Sequence, residues 1–220
     1  MSLLLTVLAL TVGLHQGAGN EKHDAAFNAL STDLPERQKE IVDKHNDLRR
    51  IVEPSASNML KMEWNGTAAR NAKSWADKCI YNHSSTDRRT IENGQVCGEN
   101  LFYSSVPKSW SDAIQAWFDE NADYIYGKGP KTKNAVIGHY TQLTWYKSYM
   151  IACAVAQCQH DKYKYFYVCH YCPAGNVLGE NFYKPYKEGE PCGDCPDACD
   201  NGLCSNQSLQ TEDVFSNCVR

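Results

Sequence analysis

The sequence predicts an α+β fold, because helical patterns occupy its first half and strand patterns follow in its second half. Three helical patterns begin near Pro35, Ala68 and Ser109, and their apolar residues recur at steps of three and four. Residues 150–158 and 163–170 are strand-like segments joined by the polar turn 159–161, which predicts an antiparallel hairpin. Helices and strands that occupy separate parts of a chain are typical of the α+β class.

Composition limits the class of protein. The chain has 220 residues, enough for one medium domain and a small appendage. Its net charge is −4 and it has no long basic run, so a nucleic-acid partner is not expected. The eleven cysteines indicate an oxidising compartment. Because eleven is odd, at least one cysteine lacks a partner within the chain.

The N-terminus predicts export. Residues 3–12 form an apolar run that is too short to span a bilayer, and the small residues Gly17 and Gly19 offer a cleavage point before Asn20. We interpret residues 1–19 as a signal peptide and expect a secreted protein without a transmembrane segment. Three sequons are candidates for glycosylation in such a protein. They begin at Asn65, Asn82 and Asn206.

The first helix follows a polar arm, residues 20–34, and is predicted to begin at Pro35 and to end before Pro54. Its apolar stripe consists of Ile41, His45, Leu48 and Val52. Since His45 lies on this stripe, we interpret it as a hydrogen-bonded core histidine.

The second and third helices follow the same logic. The stripe of the second consists of Ala68, Ala72, Trp75, Ala76, Cys79 and Ile80. Ser109 is predicted to cap the third helix, with Asp112 at capping-box spacing. In this third helix Trp117 should face inward with Ile114 and Phe118. Glu120, three residues after Trp117, then projects from nearly the same face, at the edge of the core or into a cleft.

Residues 138–145, GHYTQLTW, are predicted to form a strand. Leu143 and Trp145 alternate with Gln142 and Thr144, so the two apolar side chains would share the buried face. His139 would then lie just before the strand, where its side chain can turn into a cleft.

From about Gly189 the character of the chain changes, and residues 191–204 contain almost no large apolar residue. Such a segment cannot build a core and has to be held by covalent links. The CxxC spacings of this segment would also suit zinc, but in a secreted chain disulfides are the better interpretation.

Four short motifs resemble those of the CAP superfamily, which contains cysteine-rich secretory proteins, venom allergens and plant pathogenesis-related proteins. They lie at residues 45–49, 98–100, 138–145 and 167–176. The resemblance implies an α-β-α sandwich over residues 35–187, with a sheet of three or four strands. The segment from residue 188 to 220 resembles the hinge of the cysteine-rich secretory subgroup.

The family resemblance also implies a disulfide pairing. The pairs are Cys79–Cys158, Cys97–Cys172, Cys153–Cys169, Cys192–Cys199 and Cys195–Cys204. Cys218 is left unpaired. The subgroup normally continues into a helical, six-cysteine domain that regulates ion channels, and nearly all of it is missing here. We therefore expect a shortened form and treat channel regulation as an alternative.

Four residues are implied as a cleft tetrad by the resemblance: His83, Glu99, Glu120 and His139. The two histidines would bind zinc weakly, since two protein ligands leave open positions. The alternative is a polar cleft in which the histidines and glutamates hydrogen-bond to one another.

The sequence thus predicts a secreted, non-enzymatic binding protein. Residues 57–64 are similar to the mammalian reproductive-tract and glandular members, which implies binding to the sperm surface, to other cell-surface or secreted proteins, or to sterol or lipid. The alternative is a secreted peptidase, either metal-assisted or using a serine beside His83, such as Ser84 or Ser85. No HExxH or GxSxG motif supports that alternative.

Overall fold

The structure is a computed structural model that describes residues 25–159, 162–179 and 182–205. The predicted signal peptide, the sequon at Asn206 and Cys218 lie outside these residues. The helices are α1 (Pro35–Arg50), α2 (Gly66–Ala76), α3 (Trp110–Phe118) and α4 (Gly138–Leu143). The strands are β1 (Glu63–Trp64), β2 (Gly98–Ser104), β3 (Tyr124–Ile125), β4 (Gly129–Pro130), β5 (Met150–Gln157), β6 (Tyr165–Cys172), β7 (Cys199–Asp200) and β8 (Leu203–Cys204).

A four-stranded sheet in the order β1-β5-β6-β2 forms the middle layer. The predicted hairpin is confirmed, since β5 and β6 pair antiparallel, and β2 pairs antiparallel with the far edge of β6. Helix α2 packs on one face of the sheet, and α1 and α3 lie on the other with most of the core. All residues of β6 are buried, because helices cover both faces. This confirms the α+β sandwich.

Helices α1 and α3 occur where they were predicted, whereas α2 ends at Ala76. Cys79 and Ile80 of its predicted stripe therefore lie beyond the helix, because Cys79 turns the chain with a φ of 54°, and Ile80 is exposed. Helix α1 begins at Pro35, and the Ser109 hydroxyl caps α3 by accepting from the Asp112 amide. Part of the predicted arm packs on the core, because Leu30 is buried and its carbonyl accepts a hydrogen bond from Trp110 Nε1 at 2.9 Å. Among the described residues, no helix combines the length and hydrophobicity that crossing a bilayer requires.

His45 is the hydrogen-bonded core histidine that was predicted. It is fully buried, with Nδ1 2.7 Å from the Ile41 carbonyl oxygen and Nε2 2.9 Å from the Tyr171 hydroxyl. A carbonyl can only accept, so Nδ1 carries the hydrogen and Nε2 accepts from Tyr171. Burial is the largest of the effects that lower the pKa of His45 from 6.5 to about 4.

The strand prediction for residues 138–145 is wrong, because Gly138–Leu143 form the short helix α4. Gln142 and Thr144, which were expected to face away from the core, are as buried as Leu143. The alternation in sequence is therefore not an alternation in burial. The Glu120 carboxylate accepts hydrogen bonds from amides in the first turn of this helix, which stabilises helical backbone there.

Arg49 connects α1 to the segment after α4. It is 1% exposed, and its guanidinium donates only to backbone carbonyl oxygens. The acceptors are Leu60, at 3.1 and 2.8 Å, Leu143 at 2.8 Å, Trp145 at 2.9 Å and Tyr146 at 3.1 Å. Burial lowers the pKa of Arg49 to about 9, which leaves it charged at neutral pH.

The five disulfides of the described residues are the five pairs that the family resemblance implied. Cys153–Cys169 joins directly paired residues of β5 and β6. Cys79–Cys158 ties the end of α2 to the end of β5, and Cys97–Cys172 joins the start of β2 to the end of β6. These links fix the loops that surround the sheet.

The cysteine-rich hinge, residues 188–205, is fastened to the sandwich. Three of its cysteines are buried against Leu60; they are Cys192, Cys195 and Cys204. The Lys61 amide donates to the Cys204 carbonyl at 2.8 Å, and the Cys204 amide donates to the Met59 carbonyl at 2.8 Å. The hinge therefore extends the backbone hydrogen bonding of the segment that precedes β1.

Candidate functional site

His83 lies in the loop that follows α2, and its position is set by the backbone around it. Cys79, with a φ of 54°, turns the chain after the helix and is tied to Cys158. Trp75 Nε1 then donates to the Asn82 carbonyl at 2.9 Å. The His83 ring is 62% exposed, while its Nδ1 reaches the carboxylate of Glu99 at 2.8 Å.

Glu99 is buried beneath His83 and accepts four hydrogen bonds. Oε1 accepts from His83 Nδ1 at 2.8 Å and from the Ser84 amide at 2.9 Å; Oε2 accepts from the Ser84 hydroxyl at 2.8 Å and from His170 Nε2 at 3.0 Å. Burial alone would raise the pKa of Glu99. The hydrogen bonds from His170, His83 and Ser84 outweigh burial and hold this pKa well below its ordinary value.

His139 is held by Glu120 in the same manner. Its Nδ1 lies 2.6 Å from Oε1 of Glu120, and Oε2 accepts from the amides of His139 and Tyr140 at 2.9 and 3.1 Å. The imidazole also stacks on the Trp117 ring, with a centroid distance of 6.3 Å. Glu120 thus fixes both the ring of His139 and the start of α4.

The two histidines line a single cleft of about 400 Å³ between the sheet edge and α3. Glu120 also lines this cleft, whereas Glu99 lies buried behind His83 and does not. The remaining walls are mainly aromatic and apolar, and include Tyr81, Leu101, Phe102, Tyr103 and Trp117. Three of the four tetrad residues therefore meet in the cleft, and the fourth supports it from below.

The hydrogen bonds fix the chemistry of both imidazoles. Because a carboxylate can only accept, Nδ1 of His83 and of His139 is the donor, and in the neutral ring Nε2 keeps its lone pair. Histidine ligands of zinc are commonly oriented by carboxylates in this way, so the donors present fit a zinc ion. The described residues contain no group of three or more His, Cys, Asp or Glu side chains placed to hold a metal. A zinc ion here would therefore have two protein ligands and open positions.

His170 is a residue of the candidate site that the sequence analysis missed. It is fully buried in β6, directly opposite Glu99 of β2, and its Nδ1 has no hydrogen-bond partner among the described residues. Asn100, the next residue in β2, donates to the His139 carbonyl at 3.0 Å. The contact between Glu99 and His170 depends on the register between β2 and β6, which the motif containing His170 does not reveal.

The chain is similar to proteins of one family. The family model described as "Cysteine-rich secretory protein family", or CAP, matches residues 42–171. Human cysteine-rich secretory protein 3 is 53% identical over 99% of this chain and 88% of that protein. The venom protein helothermine of Heloderma horridum horridum is 52% identical over the same shares, 99% and 88%. A crystal structure of NaASP2 with Zn²⁺ matches with a TM-score of 0.62 and 29% identity, covering 76% of this chain and 94% of that one.

Proposed function

Because this chain belongs to the cysteine-rich secretory protein family, we propose that it is a secreted, non-enzymatic protein that binds its partners through the cleft between His83 and His139. The observation that carries this proposal is that each histidine ring is held through Nδ1 by a glutamate and both rings line one cleft. Such a cleft offers fixed polar groups among aromatic walls, which suits recognition. The disulfides and the family support an extracellular location.

The contacts of Ser84 argue against this residue as the nucleophile of a serine peptidase. Its hydroxyl donates to Glu99 instead of to an imidazole, and the residue is only 4% exposed. His83 directs Nδ1 at the same carboxylate, so the ring does not act as a base toward Ser84. A nucleophilic serine needs both exposure and a basic partner, and Ser84 has neither.

We propose further that the cleft binds zinc weakly through Nε2 of His83 and His139. NaASP2, which shares the fold, has been crystallised with Zn²⁺, and that supports the proposal. When bound, zinc would supply a Lewis-acidic centre with free coordination positions. Its affinity should be far below the roughly 10–16 kcal/mol of closed structural sites.

Replacing both histidines with alanine is expected to abolish zinc uptake, and Glu120→Gln to weaken it about tenfold, because the amide orients the ring less strongly. Isothermal titration of ZnCl₂ into the wild type and the variants at pH 7.5 measures both effects. Binding should also weaken on acidification, since protonated imidazoles cannot ligate. Equal zinc uptake by the wild type and the double variant would show that the site is elsewhere.

The partners we propose are cell-surface or secreted proteins, including those of the sperm surface, and sterol or lipid. The aromatic walls of the cleft, Phe102 and Trp117 among them, support an apolar or aromatic group in the ligand. The chain is almost equally identical to a secretory and to a venom protein, so the proposed setting in reproductive or glandular secretions rests on the wording of residues 57–64.

One experiment distinguishes the proposed binding function from the peptidase alternative. The wild type and the His83→Ala/His139→Ala variant are sedimented with sperm membranes and with vesicles that contain or lack sterol, and both are incubated with a peptide library analysed by mass spectrometry. We expect retention on at least one surface to depend on the histidines, with no peptide cleaved above the blank. Cleavage that depends on the histidines would instead favour a peptidase. If that cleavage also requires added zinc, a metal-assisted peptidase is favoured over a serine peptidase.

A further inference from the structure

The two sequons within the described residues differ in what their asparagine side chains do. Asn65 caps α2: its Oδ1 accepts from the Ala68 amide at 2.8 Å. Its Nδ2, the atom to which an N-linked glycan attaches, donates to Sδ of the buried Met150 at 3.1 Å. Glycosylation leaves one hydrogen on Nδ2, so a sugar there has to fit beside the helix cap and Met150 at a residue that is only partly exposed.

The side chain of Asn82, in contrast to that of Asn65, is free of such contacts. Its side chain is exposed and makes no hydrogen bond to another described residue, while its backbone is fixed by Trp75 and Ile80. Asn82 lies on the rim of the cleft, next to His83. A glycan on this side chain disturbs no packing and extends from a rigid part of the backbone. The sequons are Asn65-Gly66-Thr67 and Asn82-His83-Ser84, and the folded structure places their two asparagines in different surroundings.

We propose that Asn82 carries an N-linked glycan at the mouth of the cleft and that Asn65 stays unmodified in the folded protein. The proposal rests on the proposed secretion, because glycan transfer requires the secretory pathway. In the transfer, Nδ2 attacks C1 of a lipid diphosphate-linked oligosaccharide, so that a C1–Nδ2 bond forms and the C1–O bond breaks. The lipid diphosphate leaves with the electron pair of that bond, and Nδ2 loses one proton to solvent. Transfer can precede folding, so the structure acts by deciding which glycosylated form folds and is exported.

A glycan on Asn82 would limit the size of the ligands that can enter the cleft. A branched oligosaccharide on Asn82 stands beside His83 and Tyr81, two of the residues that line the cleft. Ions and small molecules pass such a chain, whereas a bulky ligand meets it first. The glycosylated protein is thus selective for small ligands or for an extended group of a large one.

Site occupancy is measured on protein secreted by mammalian cells, by enzymatic release of glycans in ¹⁸O water and peptide mass spectrometry. We expect ¹⁸O at residue 82 and none at residue 65. The variant Asn82→Gln should lose one glycan, whereas the matched variant Asn65→Gln should keep the wild-type glycan pattern. An occupied Asn65 in the secreted protein, or a bare Asn82, overturns the proposal. Protein that never reaches the medium overturns the proposed secretion, and this inference with it.

Coverage of the cleft is measured with a thiol placed inside it. Ala116 is exposed and lines the cleft, and Ala116→Cys is made together with Cys218→Ser, with and without Asn82→Gln. We expect a polymer-linked maleimide to label the glycosylated protein several-fold more slowly than the Asn82→Gln form, while N-ethylmaleimide labels both equally. Equal rates with the polymer reagent would overturn the size limit.

Discussion

Replacement of Arg49 with methionine is expected to lower the free energy of unfolding by about 4 kcal/mol. The guanidinium donates to four backbone carbonyl groups that are provided by two distant segments, one before β1 and one that begins at the last residue of α4. Methionine fills much of the volume but donates nothing, so these acceptors lose their partner while remaining in place. Replacing a buried ion pair can be neutral when both partners are removed; here the acceptors belong to the backbone and stay.

Urea unfolding at pH 7 with the disulfides intact measures the effect. Arg50→Met is the matched control, because Arg50 pairs with the exposed Asp47 and with one carbonyl, that of Asn201. We expect this control to lose less than about 1 kcal/mol. Arg49→Lys keeps the charge but not the planar fork of donors. Its loss of unfolding free energy should lie between those of Arg49→Met and Arg50→Met. Equal losses for Arg49→Met and Arg50→Met would contradict the role of Arg49.

Acidification from pH 7.5 to pH 5 is expected to lower the stability of the wild type by about 2 kcal/mol more than that of His45→Gln. Burial lowers the pKa of His45 from 6.5 to about 4, so the unfolded chain binds this proton first. The neutral ring therefore contributes stability that is complete above pH 6.5 and is lost as the pH falls towards 4. Glutamine remains neutral throughout this range and lacks this dependence.

The measurement is the free energy of unfolding of both proteins at several pH values between 4.5 and 8. The difference between the two curves is the test, because all other ionisable groups are common to both proteins and their contributions cancel. Glu99, whose pKa is depressed from 4.5, contributes stability that is lost only below that pH, so its effect falls outside the window. Parallel curves for the two proteins would show that His45 does not account for the acid sensitivity.

The elements that the sequence predicted correctly are those set by local patterns. Helix α1 follows from Pro35 and a regular apolar stripe, α3 follows from the Ser109 cap, and the β5–β6 hairpin follows from its turn. The α4 segment was predicted as a strand because its alternating letters resemble a half-buried strand. Its helical form depends on the Glu120 carboxylate, 18 residues before Gly138, which no local window contains.

In the candidate site, too, the sequence predicted some features, and others depend on contacts between distant segments. The four tetrad residues came from family resemblance, since they are spread from His83 to His139 and have no metal-binding spacing. What resemblance did not provide is the different depth of the two glutamates: Glu99 is buried between His83 and His170, whereas Glu120 lines the cleft. Depth is a property of strand register and layer packing, and both are set by contacts between segments that are distant in sequence.

The cysteine-rich hinge is held against the sandwich and does not act as a flexible joint. Its backbone is bonded to Met59 and Lys61, and Ser205 is held to the Ala198 carbonyl at 2.7 Å. The backbone position of Ser205 relative to the sandwich is therefore set by these hydrogen bonds. A fluorophore attached at residue 205 would report its distance to the cleft without a contribution from movement of the hinge.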